Sequence, residues 1–282
     1  MSGRVCVITG ATRGIGRATA EGLVRLGARV VLIARRRDDG IRVSRELAGD
    51  AGLRDVVVAD LSSQASIRTA AQELRDRYPR LHVLINNAAV VRRNREITVD
   101  GLEMQFAVNH LAYFLLTSLL LTPLRAGIPS RVINVSSGAH SGARLDFDDL
   151  QSERGYSATR AYGRTKLANI LFTYELARRL QGTGVTANCL HPGVIDTQLL
   201  ADFMGAPGTR PGGARSFGAS AESGAETSIF LASSPDVERV TGKYFDDRRE
   251  RRSSPESYDE AAARRLWSIS EQLTRPLDPG AS

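Results

Sequence analysis

The feature that most constrains this chain is a series of short, continuous apolar runs separated by amphipathic helical patterns, with a glycine-rich turn directly behind the first run. Arg4–Thr9 (RVCVIT) leads into Gly10–Gly16 and an amphipathic pattern that reaches Leu26. Ala28–Ala34 (ARVVLIA), Leu53–Ala59 and Leu81–Ile85 follow, with helical patterns at Arg42–Ala48 and Gln64–Arg77 between them. Strands that read as unbroken apolar runs are buried on both faces. Their alternation with helices predicts an α/β fold with a doubly wound parallel sheet.

The second half keeps this rhythm. A helix is expected from about Leu102 to Leu121, a strand at Ser130–Val135 (SRVINV), a helix at Ala161–Leu180, a strand at Val185–Leu190 (VTANCL) and a short strand at Lys243–Phe245. Glu256–Leu273 reads as a closing helix whose Leu266, Trp267 and Ile269 pack back on the body. About seven strands result. In 282 residues there is no internal repeat and no linker, so a single domain, 1–282, is expected. Its parts are a cofactor-binding half (1–100), a catalytic half (101–250), and a C-terminal helix and tail (251–282). Gly205–Ser220 (GAPGTRPGGARSFGAS) breaks the pattern. A loop that long reads as a lid, spanning about 196–224, with plain disorder as the alternative. Arg248–Ser254 (RRERRSS) reads as a solvated surface turn.

Composition limits the function classes. A net charge of +7 raises a polyanion partner. The arginines are dispersed over all segments, however, with no aromatic-studded basic stripe, so no nucleic-acid partner is expected. Cys6 and Cys189 each lie in an apolar strand and read as buried free thiols in a reducing compartment. No run approaches the roughly 20 apolar residues that span a bilayer, and the first strand starts too early for a signal peptide or anchor. A soluble, cytoplasmic protein without membrane association is expected.

The turn Thr9-Gly10-Ala11-Thr12-Arg13-Gly14-Ile15-Gly16 sits between a strand and a helix. Glycines there allow a tight turn and bring backbone N–H groups and a helix N-terminus to a pyrophosphate. With this motif the sheet reads as Rossmann-type, with helices on both faces. Folds that hold NAD place an acid at the end of the second strand for the adenosine ribose. Here that strand ends Ala34-Arg35-Arg36-Arg37, and arginine suits a 2′-phosphate. Arg13 could reach the same group. NADP(H) is therefore expected over NAD(H), although a chain this rich in arginine also scatters them by chance. Tyr162 and Lys166 stand four apart on a helix, so phenol and ammonium share a face. An adjacent cation lowers a phenol's pKa and makes it a usable acid or base. Only two of the 38 basic residues are lysines, Lys166 and Lys243. Retention of lysine at 166 argues against a chance surface pair.

The glycine turn, Asn86-Asn87-Ala88-Ala89, Ser137, Tyr162 with Lys166, and His191-Pro192-Gly193 resemble the short-chain dehydrogenase/reductase family in order and spacing over residues 4–247. Phe106-Ala107-Val108-Asn109-His110-Leu111, Asn134-Val135-Ser136-Ser137, Lys166-Leu167-Ala168-Asn169, Glu175-Leu176-Ala177-Arg178-Arg179-Leu180 and Leu266-Trp267 resemble its retinol dehydrogenase-like branch. The resemblance implies that Ser137 holds the substrate oxygen, that Tyr162 is the general acid/base, and that Lys166 binds the nicotinamide ribose and lowers the phenol's pKa. Asn109 would complete a tetrad by linking Lys166 to solvent through a water. Ser137 is preferred to Ser136 because its separation from Tyr162 matches the branch. Gly10, Thr12, Arg13, Gly14, Ile15, Gly16, Arg35, Asp60, Leu61, Asn87, Ala88, Tyr162, Lys166, Pro192, Gly193, Ile195 and Thr197 would bind the cofactor. Ala89 departs from the family's glycine. The branch often carries a membrane segment that is not found here, so retinol marks kinship rather than substrate.

These residues imply an NADP(H)-dependent oxidoreductase that reduces a ketone or aldehyde, or oxidises the corresponding alcohol, in the manner of a carbonyl reductase or a tailoring ketoreductase of secondary metabolism. The substrate is expected to be small and largely apolar, in a pocket of His140, Phe147, Tyr156 and Phe203 under the lid. A catalytically inactive NADP(H) sensor on the same fold is the alternative, and NADPH oxidation separates the two. No metal is expected. Pairing through the two long helices would give a homodimer or homotetramer.

Overall fold

The apolar runs lie side by side because neither face of such a strand tolerates water. A computed structural model describes residues 1–48, 55–196, 198–204 and 218–275. In it β1 (Val5–Thr9), β2 (Arg29–Ala34), β3 (Val56–Val58), β4 (Val83–Asn86), β5 (Ser130–Val135), β6 (Val185–His191), β7 (Tyr244–Asp246) and β8 (Arg249–Arg251) form one sheet in the order β3-β2-β1-β4-β5-β6-β7-β8. All neighbours are parallel except β7 and β8. The eighth strand corrects the expectation of about seven. It comes from the segment expected to be a solvated turn, and its three residues are exposed. A short, charged edge strand of this kind discourages pairing with another chain.

Nine helices of the described residues flank the sheet: α1 (Gly14–Arg25), α2 (Arg37–Ala48), α3 (Gln64–Arg77), α4 (Met104–Phe106), α5 (Ala112–Ala126), α6 (Ala158–Arg179), α7 (Gln198–Met204), α8 (Ala221–Ser233) and α9 (Glu260–Leu273). A π-helical turn, Ala107–Leu111, joins α4 to α5. Both faces of the sheet are covered. Val7 of β1 enters one apolar cluster with Leu74, Leu116 and Phe172, while Cys6 and Ile8 enter the other with Leu23 and Leu231. Both cysteines are buried and unpaired, and burial pushes the Cys6 thiol up to about 12.

One expectation about the long helices needs correction. The continuous stretch Met104–Ala126 does have the length and mean hydropathy, 1.4, of a membrane span, but 78% of its most apolar part is buried within the fold. That is how a core helix, apolar on all sides, reads. In α6 every residue from Ala161 to Ala177 except Arg164 is buried. α9 lies across it, with Trp267 5.8 Å from Phe172 and 4.9 Å from Phe114 of α5. Much of the apolar character of α6 is therefore spent within the chain.

Candidate active site

The strand order reverses between β1 and β4, so the loops that leave their carboxyl ends diverge and open a crevice. On one side is the glycine turn. Gly10 and Gly14 have positive φ, +67° and +54°, a region that side chains disfavour. A Cβ on Gly10 would lie 2.8 Å from the Cα of Ala88, and one on Gly16 would lie 2.4 Å from the Gly10 carbonyl oxygen and 2.5 Å from Asn87 Nδ2. Asn87 holds the turn from the other side of the crevice. Its Nδ2 donates to the carbonyls of Thr9 (2.9 Å) and Gly10 (3.3 Å), while the Asn87 and Ala88 amides donate to the Thr9 hydroxyl.

The first turn of α1 contains no acid, and no side chain caps it. Its free N–H groups and the glycine cradle fit a pyrophosphate. Thr12 and Ile15 are partly exposed beside it. Arg13 and Arg35 are exposed, the latter immediately after β2, whereas Arg36 pairs with Asp39. Asp60 accepts from the Ser62 amide and hydroxyl through Oδ1, which fixes the turn after β3. Leu61 lines a shallow cleft with Ile67, Leu102 and Leu111. On the far side, Pro192 and Gly193 (φ +89°) follow β6. Ile195 is buried and reaches Ile15 across Gly224 of α8, where a Cβ would meet the two side chains at 2.7 and 3.1 Å. The sequence reading missed Gly224, since only close packing explains it. Thr197 lies outside the described residues, as do positions 205–217 of the expected lid.

The chemical groups stand where β5 and α6 meet this crevice. Lys166, 1% exposed, donates through Nζ to the Val135 carbonyl at 3.0 Å and lies 5.4 Å from the centre of the Tyr162 ring. Ser137 caps the short helix Gly138–His140 by accepting from the Ala139 amide. Its hydroxyl is also near enough to the Tyr162 phenol to lower that group's pKa. The choice between the adjacent serines follows from strand alternation. Ser136 points inward, buried, and donates to the Lys166 carbonyl at 2.9 Å. Burial pushes the Tyr162 phenol up to about 12, against the opposing influence of Ser137. It pushes Lys166 down to about 7. In this structure the phenol is therefore raised rather than lowered, because desolvation of the phenolate dominates.

Asn109 sits fully buried in the π turn. Its Oδ1 accepts from the Val90 amide (2.8 Å), and its Nδ2 donates to the Val90 carbonyl (2.9 Å) and the Thr165 hydroxyl (3.2 Å). The side chain thus ties the loop after β4 to α6 beside Lys166. Behind it, Asn86 donates to Asn134 and Thr117, and Asn134 donates to Thr173, a buried polar ladder that the sequence reading did not single out.

Of the four expected pocket residues, Phe203 on α7 meets the chemistry, its ring 5.4 Å from that of Tyr162. The other three make contacts away from the Tyr162 ring. His140 is buried, with Nδ1 2.6 Å from the Ser137 carbonyl while Nε2 accepts from the Ser254 amide at 3.1 Å. Since Nε2 accepts, Nδ1 carries the proton and donates, so both nitrogens are committed to holding the Ser137 loop. His191 Nδ1 accepts from the Gly138 amide on its other side. Tyr156 gives its hydroxyl to the Arg92 carbonyl and accepts from Gln105, and Phe147 lies under Arg265 in the cluster around α9.

Comparison with known proteins shows the family of the chain. The sequence profile described as short chain dehydrogenase matches residues 4–205. The chain is 46% identical to human "Retinol dehydrogenase 14" over 291 aligned positions, covering 97% of this chain and 87% of the relative. Among solved structures, an uncharacterized protein from Mycobacterium paratuberculosis superposes with a TM-score of 0.78 at 35% identity, covering 98% of this chain and 96% of that one. RhlG of Pseudomonas aeruginosa, solved as an active-site complex with NADP, superposes at 0.65 with 29% identity, covering 87% and 94%.

Proposed function

Given that this chain belongs to the short-chain dehydrogenase family of oxidoreductases, we propose that it uses NADP(H) to reduce a ketone or aldehyde of a largely apolar small molecule, or to oxidise the corresponding alcohol. The observation that carries this reading is the convergence of Ser137, Tyr162 and Lys166 at the crevice formed by the glycine turn. The cofactor supplies a hydride when bound. Gly10, Gly14 and Gly16 with the α1 N-terminus would hold its pyrophosphate, and Asp60, Leu61, Asn87, Ala88, Pro192, Gly193 and Ile195 would border the rest. Arg35 and Arg13 support the phosphorylated form, as does the run Arg35-Arg36-Arg37 where an acid would stand at the end of β2. Ser137 and Tyr162 polarise the carbonyl through hydroxyl donors aimed at one oxygen. Tyr162, kept protonated by its burial, then gives up its proton to the forming alkoxide. Lys166 supplies positive charge to the phenolate left behind. Asn109 braces the loop after β4 and Thr165, and a water-linked path from Lys166 to solvent is part of this reading. Phe203 supplies an apolar wall.

The reading extends to a cytoplasmic enzyme without nucleic-acid or membrane partners, which two buried free thiols suit. It also includes homodimers or homotetramers paired through the two long helices, to be checked by sedimentation. The test of function is NADPH oxidation with a panel of ketones, aldehydes and quinones. Arg35→Ala should raise the NADPH KM by about tenfold or more while leaving that of NADH within about threefold. Equal loss for both cofactors would refute the phosphate assignment, and no turnover on any carbonyl would favour the inactive sensor.

A further inference from the structure

Lys166 is a cation placed in the interior with almost nothing to balance it. An ammonium has three donors, and among the described residues one hydrogen-bond acceptor, the Val135 carbonyl of β5, receives one of them. Among the described residues no carboxylate pairs with it, and burial is what lowers its pKa. Two aromatic rings also face it. From α6 comes Tyr162, 5.4 Å from Nζ to ring centre, and from α5 comes Tyr113, at 5.7 Å. Both distances lie within the range over which a ring's quadrupole attracts a cation, and such attraction strengthens in a water-free site.

Tyr113 is itself unusual. It is 1% exposed, it is the second residue of α5, and its hydroxyl is buried with no hydrogen-bond partner among the described residues. An unpaired buried hydroxyl is a cost, so whatever this side chain contributes comes from its ring. Tyr162 must change its own charge state during the reaction, which leaves Tyr113, among the described residues, as the fixed π face that Lys166 meets throughout.

We propose that Tyr113 is a positioning residue whose ring is the seat of the Lys166 ammonium, standing where a carboxylate counter-ion would otherwise be needed. This rests on the proposed function only in giving Lys166 its catalytic purpose. Without the π face the ammonium is less well held, Lys166 loses its proton at lower pH, and the positive charge beside Tyr162 disappears earlier as pH rises. A carboxylate in the same place would fix a negative charge next to the phenol and oppose formation of the phenolate. A ring holds the cation without that penalty.

The chain has two lysines, which makes a direct test clean. Full-length protein labelled isotopically at lysine Cε gives two NMR resonances. Lys243→Arg assigns the second, a surface lysine paired with Glu250. The Lys166 resonance should titrate near pH 7 in the parent. Tyr113→Phe, which keeps the ring, should leave the midpoint within a few tenths of a pH unit. A trifluorinated phenylalanine at position 113, similar in shape but with a depleted π face, should lower it by about half to one pH unit. Tyr113→Leu should lower it by about one, and the alkaline limb of kcat/KM should move by the same amount. If Tyr113→Leu does not fold, the phenylalanine and trifluorophenylalanine pair still decides. Identical midpoints for that pair would overturn the inference. Failure of the parent to turn over any carbonyl would instead refute the functional reading and leave the NMR result standing.

Discussion

Gly16→Ala tests whether the glycine turn is shaped by close approach rather than by flexibility. Gly16 is the third residue of α1, and alanine there gains up to about 1 kcal/mol of helix propensity. By local preference alone the substitution would stabilise the protein. The added methyl, however, would stand 2.4 Å from the Gly10 carbonyl oxygen and 2.5 Å from Asn87 Nδ2. Overpacking of this kind costs about 1–3 kcal/mol, and the contact involves backbone, which cannot rotate aside. Relief requires the turn to part from Asn87, with loss of its bonds to Thr9 and Gly10, which adds about 1 kcal/mol. The net cost is about 1–3 kcal/mol, or roughly a 5- to 150-fold rise in the NADPH dissociation constant if the turn opens. If the turn holds, the same cost appears as lost stability. Calorimetric titration with NADPH, paired with chemical denaturation, captures either outcome. A variant that binds NADPH within twofold of the parent and unfolds at the same denaturant concentration would refute the reasoning.

Two further perturbations probe the rest of the site. In Gly163→Ala the new Cβ would come 2.7 Å from the Ala139 carbonyl oxygen, pushing the turn that carries Ser137. Steady-state kinetics should show kcat reduced about tenfold or more with NADPH binding unchanged, and an unaltered kcat would contradict this. His110 is fully buried, with Nε2 2.9 Å from the Ser270 hydroxyl, and burial pushes its pKa down from 6.5 to about 4. Between those values the unfolded chain binds the proton and the folded one does not. The stability that His110 carries is therefore intact above about pH 6.5 and declines as pH falls toward 4, by about 3 kcal/mol in all. Denaturation series across that window should show a shallower acid decline for His110→Gln, and identical slopes would refute the assignment.

The parts of this site legible in the sequence are those set by local chemistry. Strands buried on both faces must be apolar throughout, a turn that approaches phosphate must be glycine-rich, and a phenol and an ammonium on one helix face must stand four apart. Contacts that form between distant segments were not legible. His140 read as a pocket residue because nothing local shows that its Nε2 meets the Ser254 amide 114 positions away. The hydroxyl of Tyr156 and the ring of Phe147 are engaged by Arg92 and Arg265 in the same nonlocal way. Gly163 and Gly224 look like ordinary helix residues until the neighbouring Ala139 carbonyl and Ile195 side chain are in place. The direction of the Tyr162 shift was missed for a related reason. Spacing shows that a cation is near, but burial, which depends on the whole fold, dominates.

The account turns on Tyr162 as the proton donor at a nicotinamide site, and Tyr162→Phe tests that most directly, because it removes one hydroxyl and leaves the buried ring against Phe203. On the carbonyl that the parent reduces best, NADPH oxidation should fall by at least about 100-fold, while the NADPH dissociation constant measured by fluorescence stays within about threefold. Turnover at the parent rate in that variant would contradict the account.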